Sequence, residues 1–71
     1  MILTRHARDQ MVKRGINDDD VKLALKRPIG DPLPGNLGNI RIKGMATNRR
    51  ILNVVCAANS ADVVVVTVYW Q

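Results

Sequence analysis

The order of apolar and polar positions predicts two helices in the first part of the chain. Residues 4 to 14 follow a helical pattern, with Thr4 as the amino-terminal cap and Gly15 as the stop. Asn17 can cap a second helix, whose first turn is an aspartate triplet and which Pro28 ends. The triplet is better explained as the acidic start of a capped helix than as a metal site.

The second part of the chain has the pattern of strands. Residues 28–39 contain three prolines and three glycines, which is turn composition. Strands are predicted at about 39–45, 50–57 and 62–70, joined by short turns at 46–49 and 58–61 that suit antiparallel hairpins. Residues 1–71 are thus expected to form a single α+β domain. In it, two N-terminal helices pack on one face of a small antiparallel sheet of three to four strands.

The two-residue period of a strand sorts these side chains onto two faces. The face that the helices should cover carries Ile40, Ile42, Leu52, Val54, Cys56, Val64, Val66, Val68 and Trp70. The opposite face receives the polar residues Arg41, Lys43, Asn53, Thr67 and Tyr69, together with Ile51, Val55, Val63 and Val65. Cations and hydroxyls on an apolar floor are what a phosphate-binding cleft needs. One β-bulge would invert part of this assignment.

The distribution of charge along the chain indicates which class of partner it binds. The 71 residues include 11 Lys and Arg against 6 Asp and Glu, for a formal net charge of +5, and every basic residue precedes position 51. This asymmetry favours a polyanionic partner, with RNA or DNA first and an acidic protein second. A basic protein whose charge serves only solubility is the alternative.

The scarcity of cysteine and histidine excludes several classes of site. Cys56 is the one cysteine, so an internal disulfide is impossible and a reducing compartment is indicated. One histidine and one cysteine cannot form a tetrahedral zinc site, and no cofactor motif is present. The apolar run in "MILTRHAR" is too short for a signal peptide or membrane span, so a soluble cytoplasmic protein is expected.

The block "HARDQMVKRGINDDDVKLAL", a basic strand and the final "VVVVTVYW" together resemble a family of small bacterial domains of uncharacterised function. That family is grouped with RelE-like and BrnT-like toxins. Its pattern is His-Ala-x-x-Arg-Met-x-x-Arg-Gly-Ile, then an acidic helix start and a strand ending near Thr-Val-Tyr. The matching positions are His6, Ala7, Met11, Arg14, Gly15, Ile16, Thr67, Val68 and Tyr69. The chain departs from the pattern at Gln10, where the family has arginine.

The resemblance implies a RelE-like fold and a metal-independent toxin-type ribonuclease, controlled by an acidic antitoxin or immunity protein. In that chemistry the 2′-hydroxyl attacks its own phosphodiester, with a base, an acid and cations assisting. The catalytic candidates are His6, Arg41, Lys43, Thr67 and Tyr69, and the candidates for RNA binding are Arg41, Lys43, Arg49 and Arg50. Histidine is the residue type that exchanges a proton near neutral pH, which makes His6 the expected acid or base.

Other interpretations remain open. His6 near a helix start is often a surface or capping residue, and cations at positions 41 and 43 can protect an edge strand from aggregation. The main alternative function is a non-catalytic RNA- or protein-binding module with the same fold. A structural module is the third, since a small chain with a valine-rich strand is expected to form a homodimer or a tight complex.

Overall fold

Two helices and a five-stranded sheet make up the fold of the computed structural model, which describes residues 1–58 and 61–71. The elements are β1 (Ile2–Leu3), α1 (Arg5–Arg14), α2 (Asp18–Lys26), β2 (Leu33–Pro34), β3 (Ile40–Met45), β4 (Ile51–Cys56) and β5 (Val64–Trp70). The strand order is β1-β5-β4-β3-β2, and α1 packs on β5 while α2 packs on β3 and β4. The predicted α+β class is confirmed.

The sheet differs from the prediction in strand number and direction. It has five strands rather than three or four, and β1 runs parallel to β5, whereas the other neighbours are antiparallel. Both added strands have two residues, which is too short for a two-residue period to show. β2 also lies inside the proline-rich turn segment, at a sheet edge where proline is tolerated. Part of the turn predicted at 58–61 lies outside the described residues.

The helix boundaries follow the capping residues that the sequence contains. The Thr4 hydroxyl accepts a hydrogen bond from the Ala7 amide, and Gly15 ends α1 with a left-handed φ of 67°. At α2, Asn17 and Asp20 form a reciprocal capping box, in which each side chain accepts from the other residue's backbone amide. The predicted starts of both helices are confirmed.

A bulge in β5 changes which valines enter the core. Val55 pairs with Thr67 but Cys56 pairs with Val65, so Val66 is an extra residue and the faces exchange beyond it. Val68 and Val65 are therefore fully buried under the helices, beside Leu52 and Val54. The prediction that Val64 and Val66 face the helices is wrong, and Val66 instead lines a cleft with residues of the opposite face.

Asp20 joins the start of α2 to the hairpin between β3 and β4. Its carboxylate accepts from the Asn17 amide and from both the amide and the hydroxyl of Thr47, and its side chain is 3% exposed. Burial by itself raises the pKa of this carboxyl, but the hydrogen bonds from Thr47 and Asn17 outweigh it, so the pKa of Asp20 lies below its ordinary value.

Replacing Asp20 with alanine should lower the free energy of unfolding by about 2 kcal/mol, through the lost cap and the lost bonds to a charged acceptor. Because the folded pKa is depressed, this contribution is present above the ordinary pKa of aspartate and disappears as the pH falls through the folded value. Urea unfolding at pH 7 and at pH 3 measures both effects. The matched control is Asp19→Ala, an exposed aspartate of the same turn. Equal losses in the two variants would contradict the role of Asp20.

Candidate functional site

A cleft with a volume of about 430 Å³ lies on the face of the sheet that the helices leave uncovered. Arg41, Val55, Thr67 and Tyr69 line it from β3, β4 and β5. The segment between β2 and β3 provides one wall, and the start of α1 contributes His6. Four of the residues that the sequence proposes for catalysis, His6, Arg41, Thr67 and Tyr69, therefore line one cleft.

The position of His6 follows from how α1 is attached to β5. The Thr4 amide donates to the Val65 carbonyl at 3.1 Å, and the Thr4 hydroxyl donates to the Val66 carbonyl at 3.1 Å. The same hydroxyl caps α1, so the first turn of the helix is fixed at the edge of β5. His6 is exposed there and lines the cleft together with Val66 and Thr67.

The strand register places the polar residues of the cleft in two rows across the sheet. Arg41, Val55 and Thr67 form one row, and Lys43, Asn53 and Tyr69 form the next. Arg41 Nη1 lies 3.4 Å from the Tyr69 hydroxyl, to which it donates a long hydrogen bond. Since β4 separates their strands, this bond crosses the central strand and joins the two rows.

The family profile described as "Domain of unknown function (DUF4258)" matches residues 3–70. The chain belongs to the DUF4258 family. A search of curated proteins and a search of solved structures each give no match.

Three of the predicted site residues of this DUF4258 domain do not line the cleft. Lys43 is half-buried on the same face, in register with Asn53 in the second row. Arg49 and Arg50 belong to the hairpin between β3 and β4, and the Arg50 guanidinium stacks 4.4 Å from the ring centre of Trp70. Among the described residues that line the cleft, Arg41 is thus the lysine or arginine.

Several residues of the cleft were not predicted from the sequence. The wall between β2 and β3 carries Asn36 and Asn39, and the loop is closed by a 2.7 Å bond from the Gly35 amide to the Asn39 carbonyl. The sequence shows the turn composition of this segment. Its place beside the cleft depends on the two-residue pairing of β2 with β3, which the sequence does not show. Val66 enters the cleft because of the bulge.

Chemically, the DUF4258 cleft combines an imidazole, a guanidinium and two hydroxyl groups. The imidazole can accept or donate a proton, the guanidinium can bind two phosphate oxygens, and the hydroxyls can orient a ligand. Cys56 lies apart, in the core, where burial raises the pKa of its thiol. Within residues 1–58 and 61–71 no three His, Cys, Asp or Glu side chains cluster as metal ligands. Neither helix there has the length and apolarity needed to cross a bilayer.

Proposed function

We propose that this domain is a metal-independent ribonuclease of the RelE-like toxin type. The observation that carries the proposal is that His6, the one histidine of the chain, lines the same cleft as Arg41, Thr67 and Tyr69. A proton-transfer group and a phosphate-binding cation in one open cleft are the two parts that this reaction needs. The net charge of +5 supports RNA as the ligand.

In the proposed reaction the 2′-oxygen forms a bond to phosphorus and the bond to the 5′-oxygen breaks. The products are a cyclic phosphate and a free 5′-hydroxyl. One group accepts the proton of the 2′-hydroxyl and another donates a proton to the leaving oxygen, and His6 performs one of these transfers. Arg41 stabilises the charge that develops on the phosphate, while Thr67 and Tyr69 orient its oxygens.

Gln10 bears on this proposal because the resembling family has arginine at that position. It lies one helical turn beyond His6, and its Oε1 atom is buried without a hydrogen-bond partner among the described residues. A neutral amide can hydrogen-bond an imidazole or a ribose hydroxyl, but it cannot neutralise a phosphate. The proposal therefore assigns the charge-stabilising role in this chain to Arg41, with Lys43 as the further cation of the same face.

Replacing Arg41 with glutamine should weaken RNA binding and reduce its dependence on salt. A lost contact to one phosphate of a single strand makes the negative slope of log K (the association constant) against log salt shallower by about 0.7. Binding of a single-stranded RNA measured by fluorescence anisotropy between low and high salt tests this. Arg27→Gln is the control, because it removes the same charge from an exposed position at the end of α2, outside the cleft. Equal slopes in the two variants would show that Arg41 does not contact phosphate.

The proposed regulation is inhibition by an acidic antitoxin or immunity protein, and the proposed assembly of the free domain is a homodimer. Apolar exposure supports a protein partner: Val12 on α1 is 85% exposed. Val12 lines a groove together with Leu3, Met11 and Ile16.

The alternative function is a non-catalytic RNA- or protein-binding module. It uses the cleft face of the sheet without proton transfer, and the His6 variant distinguishes it from the nuclease.

A further inference from the structure

Asn53 occupies the centre of the uncovered face. It lies on β4, between Lys43 on β3 and Tyr69 on β5. Its neighbours Leu52 and Val54 are fully buried on the helix side, so the alternation of the strand points Asn53 to the other side. Neither α1 nor α2 covers that side, yet Asn53 is 3% exposed. The hydrogen bond from Arg41 to Tyr69 crosses β4 on this same face.

Two complementary polar atoms are buried without partners on this face. Asn53 Oδ1 is an acceptor, Arg41 Nε carries a donor, and neither is hydrogen-bonded to any described residue. Buried polar atoms are rarely left in this state, because losing hydration without gaining a bond is unfavourable. The neighbouring positions of β4 on the same face are Ile51 and Val55, and an apolar β-branched residue such as valine at 53 would avoid the unfavourable burial. The amide is therefore not explained by the stability of the strand.

We propose that Asn53 is a positioning residue for Arg41 when a phosphate occupies the cleft. A phosphate draws the guanidinium away from the Tyr69 hydroxyl, to which it now donates a bond of 3.4 Å. In the new position Arg41 Nε donates to Asn53 Oδ1, and the two terminal nitrogens bind two phosphate oxygens side by side. This inference rests on the proposed function only in taking a phosphodiester as the ligand.

The rearrangement has two consequences for the cleft. In the bound state Arg41 Nε has a hydrogen-bond partner, so the two terminal nitrogens of the guanidinium are held toward the phosphate in one orientation. The Tyr69 hydroxyl, which accepts the bond from Arg41, is also released and can turn to donate its proton to the ligand. Asn53 thus acts through Arg41 and does not itself touch the phosphate.

The direct test is the Arg41 Nε–H resonance in a ¹⁵N-labelled protein, observed with and without a DNA dinucleotide, which lacks the 2′-hydroxyl and is not cleaved. In wild type the dinucleotide should shift this resonance and slow its exchange with water. In Asn53→Val the exchange should stay fast, while Asn53→Asp, which keeps an acceptor at the same place, should restore the protection. Asn53→Ala replaces the valine variant if that protein does not fold. A wild-type resonance that does not respond, or equal protection in wild type and Asn53→Val, would overturn the assignment.

Stability and cleavage separate a positioning role from a structural one. Asn53→Val should melt at or above the wild-type temperature yet cleave RNA about 10- to 100-fold more slowly, the loss expected for one hydrogen bond to a charged group. A lower melting temperature with unchanged protection of Arg41 would show a structural role instead. If wild type cleaves no RNA but its Arg41 resonance responds as described, the nuclease proposal fails and the assignment of Asn53 stands.

Discussion

His6→Ala should slow RNA cleavage by about 10²–10⁴-fold, the usual loss when one general acid or base is removed. Folding should be unaffected because His6 is exposed, and the cap of α1 is the Thr4 hydroxyl rather than the imidazole. RNA affinity should stay nearly the same, since Arg41, which lines the cleft and is proposed to bind phosphate, is unchanged in this variant. The measurement is single-turnover cleavage of a labelled RNA, with circular dichroism and an anisotropy titration on the same samples.

Arg5→Ala is the matched control, because it truncates the neighbouring exposed side chain of α1 outside the cleft lining. It should cleave RNA within a small factor of wild type. A second readout is the cleavage product, which should carry a cyclic phosphate in wild type. If His6→Ala cleaves as fast as wild type, or if wild type freed of any partner cleaves nothing, the domain is a binding module and not a nuclease.

The parts of the fold that the sequence predicts are those set by local interactions. Thr4 and Asn17 satisfy free backbone amides within their own helices, so their roles as caps do not depend on the rest of the chain. The parallel strand β1 depends instead on bonds to residues far along the chain, such as the 2.7 Å bond from the Ile2 amide to the Val63 carbonyl. Two residues of sequence contain too little pattern to indicate such a partner.

The same distinction applies to the candidate site. Alternation along β3 and β5 placed Arg41, Thr67 and Tyr69 on one face, and the position of His6 at the start of α1 brought it to the sheet edge. The bulge at Val66 was not predictable, because an unbroken run of valines gives no sign of where the register shifts. Arg50 is a candidate for RNA binding because of its charge and its place at the hairpin, and neither indicates that its guanidinium stacks on Trp70.

Gly44 marks a close approach of α2 to the sheet. It is buried in β3, and a β-carbon built on it would lie 2.6 Å from the carbonyl carbon of Ala24 in α2. Real β-carbons do not approach backbone atoms so closely. The atoms of Ala24 near this position belong to the helix backbone, which cannot change conformation to make room as a flexible side chain can. A glycine inside a strand is a recognised sign of such an approach. Gly44 therefore sets how tightly α2 packs over β3.

Gly44→Ala tests this packing because two effects of opposite sign compete. An alanine reduces the freedom of the unfolded chain and by itself stabilises by about 0.4–1 kcal/mol. The steric conflict with Ala24 forces α2 away from β3, and overpacking of this kind costs about 1–3 kcal/mol or more. The conflict should prevail and lower the melting temperature by about 10 °C, since each kcal/mol shifts the melting temperature of a domain of this size by about 4–8 °C.

Thermal unfolding followed by circular dichroism measures this melting temperature. The control is Lys43→Ala, which changes the half-buried neighbour on the other face of the sheet. A Gly44→Ala protein as stable as wild type would mean that α2 does not rest on the backbone of β3.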